Sequence, residues 1–326
     1  MKRYLVWLLF FSSFSFASAH VKWFATSGET IRPYQITDIP VLVTIAIALG
    51  IVLIGILLQR HLGVPKWLQN TIATCAPSIL SIASIGFGAA FLIFSYFGFI
   101  FAPNLLAYPT GDTLLLLQML AGFMILFGVY ERIGGLLLLV LFGMSIHRYG
   151  LVEMLDTLEM VGFAFYAMVI GRPKWHIVEA KWFSHLAHRF HEYGVSILRI
   201  GTGLNLMILG FSEKILTPSL TQNFLLQYNW NFMHRLGFEW FSDYWFAFAA
   251  GAGEFLFGLF FLLGLVTRLS TIALAVFLVT TLVLLGPVEL LGHLPHFSIA
   301  CVLLVFGAGS RWFLRTKEDN FFAKKK

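Results

Sequence analysis

Apolar runs with few or no charges recur along this 326-residue chain, at 40–58, 78–102, 113–130, 133–149, 159–171, 194–212, 244–266, 269–286 and 297–310. A helix rises 1.5 Å per residue, so about 20 apolar residues cross a hydrocarbon core of ~30 Å. Composition supports the same reading. Charged residues make up 12% of the chain against 59% hydrophobic ones, whereas a soluble domain carries ~25% charge. A water-soluble protein of this length needs a charged shell that this chain cannot supply. The same scarcity excludes a disordered chain and a basic nucleic-acid binder, and two cysteines (Cys75 and Cys301) exclude a disulfide-stapled module. The expected fold class is all-α integral membrane, with the lipid bilayer as its main partner.

The N-terminus sets an orientation. Lys2 and Arg3 precede an uncharged run that ends in Ala17-Ser18-Ala19, the pattern of a cleaved secretory signal peptide over residues 1–19. Cleavage there makes His20 the first mature residue, and 20–37 a periplasmic segment before the first span at 38–60. Nine spans then leave the C-terminus inside. The basic residues agree. Arg172, Lys174, Lys181 and Arg189 fall in one inside loop, and Arg311, Arg315, Lys317 and Lys324 to Lys326 near or in the basic tail, 313–326, as the positive-inside rule requires. The expected location is a bacterial inner membrane.

An internal repeat organises the rest. Shifted by 136, residues 118–171 align with 254–307, so that Gly128, Arg132, Gly150, Glu153 and Gly171 meet Gly264, Arg268, Gly286, Glu289 and Gly307. Upstream the shift is 115, where Ser81, Gly86 and Pro103 meet Ser196, Gly201 and Pro218. The expected layout is one N-terminal span followed by two parallel four-helix repeats, 78–175 and 193–312. An amphipathic linker at 176–192, bearing His185, His188 and His191, would rest on the inner leaflet. An aromatic insert, about 221–244, is unique to the second repeat and reads as an interfacial segment or a lid.

Polar groups inside apolar spans are costly, so each is a functional candidate. The second repeat holds Arg199, Asn205, Lys214, Glu254, Glu289, His293 and His296, where the first has Ser84, Ala90, Phe99, Gln118, Glu153, Thr157 and Met160. Glu289, His293 and His296 are spaced to share a helical face, with Pro287 and Pro295 pointing to a short broken helix. With Glu254 they are the candidate catalytic residues, able to relay protons, ligate a metal or hydrogen-bond a quinone carbonyl. Arg199 and Lys214 are the candidate cofactor-binding cations. Glu213-Lys214 reads as a paired charge at the outer edge, and Arg132 and Arg268 as anchors of inside turns. A free amine at His20 could chelate copper, since nitrogen ligands suit Cu(II).

The elements Arg199-x-Gly201, Gly210-Phe211-x-x-Lys214-x-x-x-Pro218, Gly253-Glu254-x-x-x-Gly258, Leu262-Leu263-Gly264-Leu265-x-Thr267-Arg268 and Gly286-x-x-Glu289-x-x-x-His293 resemble the pattern of the DoxX family. The likeness covers about 193–310, with 78–175 a degenerate copy. It implies a four-span bundle and membrane redox or quinone association. The leading expectation is therefore a DoxX-like protein supporting quinone-linked or other redox chemistry at the periplasmic face, with a periplasmic or membrane redox partner. The alternatives are a transporter or copper-handling protein, and a non-catalytic scaffold for a partner enzyme.

Overall fold

A computed structural model of the chain describes residues 31–61, 65–108, 111–172, 174–179, 181–285 and 288–313. The expected leader, His20 and most of the basic tail lie outside the described residues. So does the side chain of Glu289, although its backbone is helical.

Each of the nine apolar runs contains a helix. They are α1 (Ile39–His61), α2 (Lys66–Tyr96), α3 (Thr113–Phe127), α4 (Glu131–Tyr149), α5 (Leu151–Leu155), α6 (Leu158–Val169), α7 (Lys181–Phe190), α8 (Gly194–Leu209), α9 (Pro218–Tyr228), α10 (Phe232–Arg235), α11 (Asp243–Leu263), α12 (Thr267–Leu285) and α13 (Val288–Phe306). Four segments, Ile39–Gln59, Lys66–Tyr96, Ala187–Leu216 and Asp243–Leu263, are long and apolar enough to cross a membrane by length and composition. Thr113–Phe127, Leu158–Val169, Thr267–Thr280 and His293–Phe306 are shorter apolar helices.

Two local expectations are corrected. The run at 78–102 is not one helix to its end. α2 starts at Lys66 and stops at Tyr96, Gly98 takes φ +76°, and Phe99–Ile100 (β1) pairs antiparallel with Ala102–Leu106 (β2). Nor does Pro295 break its helix, since α13 runs through it from Val288. A proline is tolerated in a membrane helix when neighbouring groups re-satisfy the freed carbonyl. The break falls instead in the first half, at Asp156–Thr157 between α5 and α6.

In lipid the apolar effect gives helices little reason to associate, so close approach at small residues must hold a bundle together. Here the same contacts occur twice. A Cβ on Gly88 (α2) would lie 2.4 Å from the Leu126 amide nitrogen of α3. One on Gly203 (α8) would lie 2.7 Å from the Leu262 nitrogen of α11. Arg132 donates to the carbonyls of Val169 and Ile170 at the end of α6, and Arg268 to those of Leu304 and Val305 at the end of α13. Both arginines therefore cap helix C-termini, where cations are favoured. Ser81 exchanges hydrogen bonds with the Lys174 backbone, as Ser196 does with that of Arg311.

The helices are crossed between halves. α6 packs on α8, and α13 packs on α2, so the last helix of each half lies against the first helix of the other. At the first seam a Cβ on Gly162 would meet the Leu198 Cα at 3.0 Å, and one on Gly201 the Leu158 carbonyl at 2.9 Å. Asn205 Oδ1 of α8 accepts from the Leu158 amide, 3.0 Å, and so caps the N-terminus of α6. At the second seam a Cβ on Gly86 would lie 2.7 Å from Ser298 Oγ. Inside the first half, Phe87 and Phe163 stack with ring centres 3.6 Å apart.

α1 is largely exposed and touches the bundle along α11. Gln59 Oε1 accepts from Val266 N at 2.5 Å, and the Tyr34 ring packs on Tyr244, Trp245 and Phe248. α7 buries Phe183 and Ala187 against Ile133 and Met168 while His185, His188 and Arg189 stay exposed.

Candidate functional site

The C-terminal end of α8 departs from α-helical geometry. Gly210–Leu216 forms a π-helical segment, a distortion that inserts a residue and is frequent at functional sites. Two glycines admit it. A Cβ on Gly210 would lie 2.6 Å from the Gly251 carbonyl oxygen, and one on Gly251 would lie 2.7 Å from Lys214 Cβ. This close approach to α11 sets Lys214 Nζ 2.5 Å from Glu254 Oε2, with the two side chains 12% and 24% exposed. Glu213 is buried beside them, close enough to act on the Lys214 ammonium electrostatically. To the expected Glu213–Lys214 pairing the structure adds an ion pair across helices, Lys214 with Glu254.

The equivalent positions of the first half make a neutral version of this contact. Gln118 Nε2, at the Glu254 position, donates to the Phe99 carbonyl at the Lys214 position, 2.8 Å. Gln118 also donates to Ser95 Oγ and accepts from Phe101 N. That amide is spent on fixing the β1–β2 hairpin.

A second cluster lies at the start of α13. His293 and His296 are both buried, with ring centres 5.7 Å apart. The residue that completes this cluster comes from the other half. Glu159, in the first turn of α6 and 1% exposed, places Oε2 3.0 Å from His296 Nε2. This is an ion-pair contact without in-line hydrogen-bond geometry. Sequence reasoning passed over Glu159, although a carboxylate in the first turn of an apolar helix was signal enough. The expected convergence of four residues is therefore divided. Glu254 pairs with Lys214, and His296 meets Glu159, with the His293 ring 5.7 Å from that of His296. Glu289 stands on the same helix, one turn before His293, with its side chain outside the described residues.

Arg199 is fully buried. Nε donates to the Ala308 carbonyl at 3.0 Å, Nη1 to Phe261 and to Leu262 at 2.8 Å, and Nη2 to Trp312 at 2.6 Å and Arg311 at 3.5 Å. All five donors of the guanidinium meet carbonyls at or just beyond the C-termini of α11 and α13. The cofactor-binding reading of Arg199 is corrected on that ground, because no donor is left for a ligand. Arg172 fills the matching place in the first half. It donates to the carbonyls of Ile125, Leu126 and Trp175, and Nε lies 2.9 Å from Glu131 Oε2. The same guanidinium position is supplied from a helix in one half and from a loop in the other.

Among the described residues, no three His, Cys, Asp or Glu side chains converge to hold a metal ion. His20, the copper candidate, lies outside the described residues.

The sequence model of the DoxX family matches residues 194–287, which hold Arg199, Lys214, Glu254 and Arg268. No curated protein and no solved structure matches the chain. The matched stretch runs through the π-helical segment, the Lys214–Glu254 pair, Arg199 and Arg268, and residues 194–287 of this membrane protein are a DoxX domain.

Proposed function

We propose that this protein supports quinone-linked redox chemistry at the outer, periplasmic face of a bacterial inner membrane. The observation that carries the reading is the Lys214–Glu254 pair, where two separate sequence elements of the DoxX domain meet at a π-helical turn. A quinone offers carbonyl acceptors on an apolar tail. An ammonium only partly enclosed can donate to such a carbonyl, and its carboxylate partner can take the hydroxyl proton of the reduced form. Lipid-facing apolar helices accommodate the tail. Electrons pass to or from a redox partner in the membrane or periplasm. Glu289, His293 and His296 are assigned to proton handling at the same end.

The nine-span topology and the descent of both halves from one four-helix unit belong to this proposal. The paired arginine caps, the paired glycine contacts and the crossed helices support it.

The test is mass spectrometry of small molecules retained after extraction into native-lipid nanodiscs. Wild type should carry isoprenoid quinone well above the quinone-to-lipid ratio of the host membrane. Glu254→Gln and Lys214→Met, each shown to be folded, should fall to that ratio. Equal quinone in all three samples refutes the assignment.

A further inference from the structure

The cluster at the start of α6 and α13 lies outside the DoxX match, since Glu159 precedes it and His293 and His296 follow it. Its chemistry can be argued without any quinone. Glu159 and His296 are 1% and 6% exposed and 3.0 Å apart. Away from water, ionising both groups carries a dehydration cost that their attraction only partly offsets. Moving one proton from imidazolium to carboxylate removes both charges at once. A buried carboxylate–imidazole contact is therefore poised between an ion pair and a neutral pair, with the proton as the mobile element.

Three placements turn this contact into a site. Glu159 sits in the first turn of α6, where the helix N-terminus favours negative charge. The His293 ring lies 5.7 Å from that of His296, the reach of a single bridging water, and gives a second station on the same helix. Three of the neighbouring elements bring no competing charge at this level. The outer parts of α2 (82–96), α8 (202–209) and α12 (276–285) hold no acidic, basic or histidine residue. α8 adds only the neutral amide of Asn205, which binds the amide next to Glu159. α4 ends in His147 and Arg148, and Arg148 is paired with Asp112 at 2.5 Å. Asp156 precedes α6 and Glu289 begins α13.

We propose that Glu159, His296 and His293 form a proton-exchange site across the seam between the two halves. Glu159 and His296 hold one proton between them, and His293 passes it along α13. The ligand is a proton, which the two-residue contact can carry without the three ligands a metal ion needs.

The experiment is pH-difference infrared spectroscopy of the whole protein in nanodiscs, between ~pH 5 and ~pH 8, the range in which an imidazole changes charge. Wild type should show a protonated-carboxyl C=O band that changes together with imidazole ring bands. Glu159→Gln should abolish the carboxyl band, and His296→Gln should displace its midpoint along the pH axis. If Glu159→Gln does not fold, Glu159→Asp replaces it, and the band should move in frequency. Lys214→Met should leave the band in place. Superimposable spectra of wild type and the Glu159 variant, or a band untouched in His296→Gln, overturn the proposal. Neither result bears on retained quinone.

Discussion

Arg199 offers the sharpest test of the structural account. Replacing it with Met keeps a long apolar side chain and deletes every donor. The carbonyls of Phe261, Leu262, Ala308 and Trp312 then lose their partner. At ~1–3 kcal/mol for each buried group left unsatisfied, the raw loss is roughly 4–12 kcal/mol. The same change relieves the dehydration of the guanidinium, several kcal/mol in the other direction. A net loss of about 3–5 kcal/mol follows, the range seen when a buried charge arrangement is broken. Arg199→Lys keeps the charge but offers fewer donors from a single point, so about 2 kcal/mol should be lost. Thermal unfolding followed in detergent reads this directly. At ~2–4 °C per kcal/mol, the Met variant should melt roughly 6–20 °C below wild type, with Lys between. A Met variant melting within ~2 °C of wild type refutes the capping role. So does a variant that keeps its melting temperature while losing a bound ligand.

Other perturbations follow from the same geometry. In a double-mutant cycle on Lys214→Met and Glu254→Gln, the double variant should be less destabilised than the sum of the singles by about 0.5–3 kcal/mol; strict additivity contradicts the 2.5 Å contact. Gly203→Ala should cost about 1–3 kcal/mol by forcing α8 from α11, whereas Gly253→Ala, with nothing within 4 Å of its Cβ, should be neutral or stabilising by up to ~1 kcal/mol in the same melt. Burial raises the Asp112 carboxyl, but the Arg148 guanidinium and the amides of Tyr108 and Leu114 outweigh it and hold the group below its ordinary value of 3.8. Its folded pKa is depressed, so its stabilisation is complete above that value and fades as pH falls through the lower one. Melting temperature below ~pH 4 should therefore fall more steeply in wild type than in Asp112→Asn, and parallel slopes would count against the contact.

The helices were legible because lipid imposes a length and a composition on them. The polar contacts were legible only as a set of expensive residues. Spacing along α13 correctly put His293 and His296 together, but it could not reveal Glu159, which lies 137 positions before His296 in the sequence. Glu254 looked like a companion of the histidines because both sit toward the same end of the bundle. What decides its partner is the π-helical turn, which depends on Gly210 and Gly251 fitting against each other and leaves no local signature. Arg199 was misread for a related reason. A buried arginine in a span suggests a ligand until the carbonyls at two helix ends, from residues 261 to 312, are seen around it. Pro295 misled, since α13 runs through it.

The crossing of α6 onto α8 and of α13 onto α2 makes each half the missing wall of the other. The helices of 66–169 and those of 194–306 therefore close on each other rather than each on itself. A chain severed within 173–180 should still assemble when both fragments are made together, because the seams are non-covalent. Either fragment alone would turn its close-packing glycine faces toward lipid and seek a second copy of itself. Damage is shared in the same way: a lesion that unseats α13 also strips Glu159 of its imidazole, so a fault in the DoxX-bearing half is felt in the half that lacks the match.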